Sequence, residues 1–372
     1  MRIVHLGKFY PPNRGGIESV TEVLARRQAQ AGHSVEVLCF THGAARTETI
    51  DGVLVRRCAV HWVPGSQPLA AGYVRAALRL ARQAQLLHVH VPNVLASLLL
   101  PLIGRGPRVA LHWHSDIVDK GMLGALVRPV EHAALHRADV VIATSDAYVA
   151  HSLPLQSVRH KVRVVPLGIE SLPAETRDTA IPAALRTFLG ERKLLLGLGR
   201  LVPYKGFHHL IEAAAQLPDD AAVIIVGDGP LRESLQRQID ASGLRPRVHL
   251  AGRVTNDELA ALLRSARVFC MPSTKRSEAF GVALLDALAH GLPCVATRIP
   301  GSGTAWVNEH EVSGLNVPPE DAQALAVACT RILRDDDFCA RLGHGARTRF
   351  QQRFTAERFV DEIHKAYGAA TP

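Results

Sequence analysis

Two sets of short runs dense in valine, isoleucine and leucine, each run followed by helical periodicity, constrain this chain more than any other feature. The first set falls at 3–6, 34–39, 86–89, 108–112, 140–143 and 162–165, the second at 194–198, 222–226, 248–251, 268–271, 294–296 and 314–317. Strands alternating with helices build a mostly parallel sheet covered on both faces. The pattern therefore predicts an α/β chain of two Rossmann-like, doubly wound domains, 1–170 and 190–354. Between them a linker, 171–189, is expected where Pro173, Asp178 and Pro182 interrupt the apolar periodicity. A last helical stretch occupies 355–372.

Composition bounds the rest. At 372 residues and 47% hydrophobic the chain can bury two cores. Cys39, Cys58, Cys270, Cys294, Cys329 and Cys339 have no C-x-x-C spacing and mostly sit in apolar runs, so they read as buried thiols of a reducing compartment. The N-terminal residues run straight into a strand pattern, without the apolar core of a signal peptide. The longest apolar run, 94–103, is broken by Pro101 and is too short to span a bilayer of about 30 Å. A cytoplasmic protein is expected. Lys and Arg outnumber Asp and Glu by 19 to 11 in residues 1–170 and by 24 to 23 in the remainder, so the basic excess belongs to the first half. Such a field suits an anionic membrane, a nucleic acid or a phosphorylated acceptor. With 5% aromatic residues and no binding motif, nucleic acid is the weakest of the three.

The segment Ser277 to Gly291, S-E-A-F-G-V-A-L-L-D-A-L-A-H-G, carries the most chemistry. Glu278 lies in a loop and Asp286 in the helix that follows. Phe280, Gly281 and Val282 supply the first backbone N–H groups of that helix, where unpaired donors and the dipole favour an anion such as a diphosphate. The two carboxylates could each take a pair of hydroxyls, one pair on a sugar and one on a ribose. An ordinary amphipathic helix with Asp286 facing water is the plainer account.

Other motifs fall just after strands, where ligands of doubly wound sheets bind. G-R-L-V-P-Y-K-G at 199–206 offers Arg200 as a planar fork and Lys205 as a point charge for phosphate. K-F-Y-P-P-N-R-G-G-I-E at 8–18 places Gly15 and Gly16 before a helix expected to start near Ile17. V-G-D-G-P at 226–230 and H-L-A-G-R-V at 249–254 are glycine turns, with Arg253 flanking the second. L-H-W-H-S-D at 111–116 sets His112 in a strand and His114 at its end. That spacing does not suit a helical metal pair and shows no third ligand, so no metal site is expected. D-D-D at 335–337 reads as a solvated turn.

The carboxylate segment resembles the E-x7-E signature of retaining glycosyltransferases of family 4, which have the two-domain GT-B fold; this chain has E-x7-D, its second carboxylate shorter by one methylene. The resemblance implies a retaining hexosyltransferase whose donor is a nucleotide sugar and which needs no metal cofactor. Gly15, Gly16, Arg200, Lys205, Arg253, Phe280, Gly281, Val282 and Asp286 would bind that donor. His114 and Glu278 would be catalytic: His114 hydrogen-bonds the sugar, and Glu278 orients it. Asp116 is an acceptor-side candidate. In the family the last helix returns to the first domain.

The segments around 273–286 and 301–321 further resemble bacterial O-antigen mannosyltransferases and rhamnosyltransferases, which use GDP-linked sugars. Lys275, Arg276, Thr304, Asn308 and His310 are the positions expected either to distinguish the donor or merely to shape a surface loop, with GDP-mannose expected and UDP sugars open; a nucleotide-sugar epimerase on the same fold is the remaining enzyme class. For a glycan or lipid-diphosphate-linked acceptor, a helix over 68–84 would present Arg75, Arg79 and Arg82 either to an anionic membrane, with Lys120, Met122, Leu123, Leu126 and Val127 nearby, or simply to water from a helix packed on the core.

Overall fold

The computed structural model describes residues 1–13, 15–117, 121–170 and 180–368, with the backbone alone for 121–123 and 125. The chain divides into two compact units, Met1–Glu170 with Ala356–Pro372, and Ser171–Thr355.

The first unit is built on eight strands: β1 (Arg2–Leu6), β2 (Ser34–Thr41), β3 (Arg46–Ile50), β4 (Val53–Ala59), β5 (Leu86–Val91), β6 (Arg108–Trp113), β7 (Val140–Ala143) and β8 (Val162–Val164). Their order is β3-β4-β2-β1-β5-β6-β7-β8, parallel throughout except for the β3–β4 pair. The central strands are buried along their whole length, as continuous apolar runs predict. Strands β3 and β4 were not anticipated. They form a hairpin whose two turn residues, Asp51 and Gly52, have φ of 49° and 81°, the positive pair that an Asp-Gly hairpin turn needs. The polar, exposed β3 closes the sheet edge, where a mixed pattern escapes an apolar search.

The C-terminal helix Ala356–Gly368 lies against the helix Gly16–Gln30 and β7. It buries Phe359, Val360, Ile363, Ala366 and Tyr367, a stripe at helical spacing.

The second unit has six parallel strands: β9 (Lys193–Leu198), β10 (Ala221–Val226), β11 (Val248–Gly252), β12 (Ala266–Met271), β13 (Cys294–Thr297) and β14 (Gly314–Val317). Their order is β11-β10-β9-β12-β13-β14. Helices Phe207–Ala214 and Ala322–Arg334 pack together over one face. Leu210, Ile211, Leu325 and Ile332 are fully buried there, each contributing about 1.5–3 kcal/mol. A helix, Ala183–Leu189, occupies the end of the stretch read as linker, whose residues 171–179 lie outside the described residues. The D-D-D segment is not merely a solvated turn: Asp335 caps the helix Asp336–Arg353 by accepting from the Phe338 N–H at 2.8 Å, and Asp336 pairs with Arg267. No helix among the described residues is long and apolar enough to cross a membrane.

Candidate functional site

In the second sheet the order reverses at β9, which has β10 on one side and β12 on the other. Such a switch point opens a crevice at the carboxyl ends of the strands. The loops leaving β9 and β12 meet there. The Thr274 N–H donates to the Tyr204 carbonyl at 2.8 Å. Gly206 has φ 65°, and a Cβ on it would stand 2.0 Å from the Pro272 carbonyl oxygen, so only glycine lets the two backbones approach.

This contact joins two residues 73 positions apart: Lys205 Nζ lies 2.5 Å from Glu278 Oε2. Both side chains are nearly buried, at 12% and 9% exposure. Burial alone would depress the Lys205 ammonium, but Glu278, with Tyr204 adding to it, outweighs burial and holds the pKa above the usual lysine value. Ser273 Oγ donates to the same carboxylate oxygen at 2.9 Å, and Ser302 Oγ to the Glu278 carbonyl at 2.5 Å. The Glu278 loop is thus hung from the loops after β12 and β13. Neither serine was singled out from the sequence, although both lie in the P-S-T and G-S-G-T stretches that flank the motif.

Arg200, exposed just after β9, makes no ion pair among the described residues, and its charge reaches Lys205. Arg253 is 87% exposed, with Asp228 at 4.0 Å. These two guanidinium groups are solvated and available to an anion; Lys205 is already paired.

The helix after Glu278 runs Val282–Ala289, with Gly281 in the left-handed region at φ 85° as its cap. Phe280 is buried against Trp306 and Phe354, so it can offer a ligand only its backbone. Asp286 stands one turn beyond Val282 on the same helix face. Burial lifts its carboxyl to about 7, and no protein donor among the described residues bonds its carboxylate oxygens.

The positions expected to distinguish the donor have mostly structural work. Asn308 is fully buried, donating to Cys294 and Leu315 carbonyls and to Asn316 Oδ1. Thr304 Oγ1 donates to the Thr297 carbonyl at 3.1 Å. His310 Nδ1 accepts from the Asn316 N–H. Lys275 is exposed, Arg276 half-buried, and the Lys275 carbonyl accepts from the Glu278 N–H.

In the first unit the helix Gly16–Gln30 begins at Gly16 rather than Ile17, with Gly15 as its cap. The Glu18 carboxylate lies over this first turn, where a Cβ on Gly15 would meet it at 2.3 Å. Asp116 is held by its own neighbours, accepting from Trp113 Nε1 and Ser152 Oγ, both at 2.7 Å. His114 is buried, and its backbone N–H donates to the Val91 carbonyl at 3.0 Å. The third histidine not evident from L-H-W-H is present. His90 on β5 faces His112 across the register, and ring nitrogens of His90, His112 and His114 lie within 4.8 Å of one another. The facing nitrogens of His90 and His114 stand 3.0 Å apart as a hydrogen-bonded pair, whose shared proton a cation would have to displace.

On the solvent side of this unit, Arg75, Arg79 and Arg82 are exposed along the helix Ala71–Ala81 and its end, opposite the buried Tyr73, Ala77 and Leu80. This helix packs on Val94–Leu99, which packs on Gly121–Arg137. Leu98 and Leu126 on these elements, and Leu102 in the helical turn Leu100–Leu102 that follows Leu99, are 47%, 73% and 71% exposed. Lys120 lies outside the described residues, as do the side chains of Met122 and Leu123.

Two known families match the chain: Glycosyl transferases group 1 over residues 186–349 and a Glycosyl transferase 4-like domain over 15–168. The O-antigen chain mannosyltransferase C of Escherichia coli is 30% identical over 99% of this chain and 98% of its own. The D-rhamnosyltransferase WbpZ of Pseudomonas aeruginosa is 32% identical over 96% and 93%. Among solved structures, the Anabaena protein HepE in complex with UDP and glucose superposes with a TM-score of 0.78 at 22% identity, over 99% of this chain and 100% of that one.

Proposed function

We propose a function from one premise: the chain belongs to the family 4 (group 1) glycosyltransferases of GT-B fold. It moves a hexose, mannose from GDP-mannose or a GDP-linked 6-deoxyhexose, onto a glycan or lipid-linked acceptor in O-antigen or related polysaccharide synthesis. The observation that carries this reading is the Lys205–Glu278 pair at the switch point, with Arg200 unpaired beside it. A nucleoside diphosphate leaves once its charge is stabilised. Arg200, Lys205 and the N–H groups at Val282 supply that charge from the protein's own groups, so no metal step is required. Glu278 orients the sugar while His114 takes one of its hydroxyls. The bond from the anomeric carbon to the diphosphate oxygen breaks, the acceptor oxygen bonds the same face, and its proton passes to the released phosphate. Configuration is retained. The relatives that act on mannose and rhamnose support the sugar class. The UDP-bound neighbour favours the second reading, a UDP-sugar donor on the same site.

A thermal-shift panel of GDP, UDP, ADP and TDP separates the two. A ligand of the native state at a hundredfold excess over its Kd adds about 2.7 kcal/mol. GDP alone is expected to stabilise; a UDP-selective response would move the donor to UDP sugars, and silence with all four would sink the site. The panel should also depend on pH. With its pKa raised, Asp286 contributes stability that is lost as pH climbs from the ordinary carboxylate range through about 7. Ribose hydroxyls donating to the ionised carboxylate reverse that penalty. Nucleotide affinity is therefore expected to rise between pH 6 and pH 8, and Asp286→Asn to flatten the rise.

The exposed leucines Leu98, Leu102 and Leu126, with Arg75, Arg79 and Arg82 nearby, suit peripheral contact with an anionic membrane at the cytoplasmic face. Flotation with anionic vesicles should carry the protein upward, and Leu102→Asp with Arg79→Glu should leave it at the bottom. Equal flotation of the variant would remove this surface from the account.

A further inference from the structure

Five histidines line one face of the first sheet: His5 on β1, His88 and His90 on β5, His112 on β6, and His114 just past its end. The register sets His5 beside His88 and His90 beside His112, and none of the five exceeds 6% exposure. Burial holds His5 at about 4 and His114 at about 3, and burial with neighbouring imidazoles holds His88, His90 and His112 well below the usual value. All five are therefore neutral at pH 7. A neutral imidazole has one N–H and one bare nitrogen, so each hydrogen bond fixes the next.

The starting point is Tyr367, on the C-terminal helix. Its hydroxyl lies 2.7 Å from His88 Nδ1; with the Gln28 amide giving to the same oxygen, the phenol proton is left for His88. Tyr367 donates, and its oxygen receives Gln28 Nε2 at 3.1 Å. The other end of that amide, Oε1, then faces His5 Nε2 at 2.8 Å, so His5 carries its proton there. His5 Nδ1 is bare and accepts from His90 Nε2–H at 3.1 Å; His90 Nδ1 is bare and accepts from His114 Nε2–H at 3.0 Å. His114 Nδ1 ends this chain bare, without a protein partner among the described residues. The second branch runs from Tyr367 through His88 to His112 Nδ1 at 3.1 Å, leaving a buried His112 Nε2–H with no partner among the described residues.

We propose that the Gln28 amide, anchored by Tyr367, fixes the tautomer of His114 through His5 and His90, so that His114 accepts from a sugar hydroxyl and rejects an anionic oxygen. Gln28 is a positioning residue in this account. The sugar contact rests on the reading of His114 given above, whereas the proton order stands on the first unit alone.

Nitrogen-15 NMR of full-length, histidine-labelled protein without ligand tests the order directly, with His114 assigned by its loss in His114→Asn. The expected result is a proton on His114 Nε2 and a bare Nδ1. Gln28→Leu removes the acceptor, and should yield mixed His114 tautomers and a loss of about tenfold or more in kcat/KM. A wild-type proton on Nδ1 would overturn the proposal without any variant having to fold, and so would Gln28→Leu losing transfer with the His114 tautomer unchanged. Full transfer by His114→Ala beside the expected spectrum would be a different failure, of the sugar contact and not of the proton order.

Discussion

Lys205→Met is expected to lower kcat about 10² to 10³-fold and to cost the protein about 3 kcal/mol of stability. The two effects have separate causes. The ammonium supplies charge to the departing diphosphate, whereas the stability loss comes from Glu278, left as an unpaired carboxylate at 9% exposure. Among the described residues Ser273 alone then holds it through its side chain. A second substitution separates them: Lys205→Met with Glu278→Gln removes the orphaned charge, so the melting temperature should recover most of the loss while transfer stays at least as low. Thermal unfolding and a radiolabelled transfer assay read the two quantities independently. Full transfer by folded Lys205→Met would remove the ion pair from the chemistry, and a double variant no more stable than the single would show that charge burial was not the cause.

The second large effect concerns backbone rather than charge. A Cβ on Gly227 would stand 1.9 Å from the Gly199 carbonyl oxygen, at a φ of 138°. No side chain can move to relieve that contact, because both groups are main chain and the Gly227 N–H is tied to the Gly252 carbonyl at 2.8 Å. Gly227→Ala is expected to destabilise by more than about 3 kcal/mol and, by shifting Gly199, to move Arg200. Gly243→Ala is the matched control: its φ is also positive, at 66°, but a Cβ there meets nothing within 4 Å, so only the left-handed penalty of about 1–2 kcal/mol applies. Equal melting temperatures for the two variants would show that the loops after β9 and β10 are not locked by this contact.

These two residues mark where the sequence was readable and where it was not. The strand runs and the α/β class were legible because buried parallel strands are apolar along their whole length, as β10 shows with A-A-V-I-I-V. The hairpin of β3 and β4 was lost for the opposite reason: R-T-E-T-I is a polar edge, and its one clear signal was the Asp-Gly turn. G-R-L-V-P-Y-K-G and the Glu278 segment were visible as motifs, but their pairing depends on which strands become neighbours at the switch point. For the same reason the sequence left Asn308 and Thr304 open between sugar contact and loop support, and their hydrogen bonds are those of loop support. The histidines were visible as H-V-H and H-W-H, each an alternation that sets two imidazoles on one face of a strand. What joins them is the register between β1, β5 and β6, together with Gln28 and Tyr367 from helices hundreds of residues apart.

The chain leaves the first unit at Glu170 and re-enters it at Ala356. On the ribosome the first unit is therefore begun before the second and completed after it, since the helix that brings Phe359, Ile363 and Tyr367 to its sheet emerges only after every strand of the second unit. Until then His88 lacks its phenol and the Gln28 amide has only His5 to bond, so the imidazole chain acquires its direction only once that helix has emerged. A nascent chain that stops short of this helix can carry the whole switch-point motif and still lack an ordered His114.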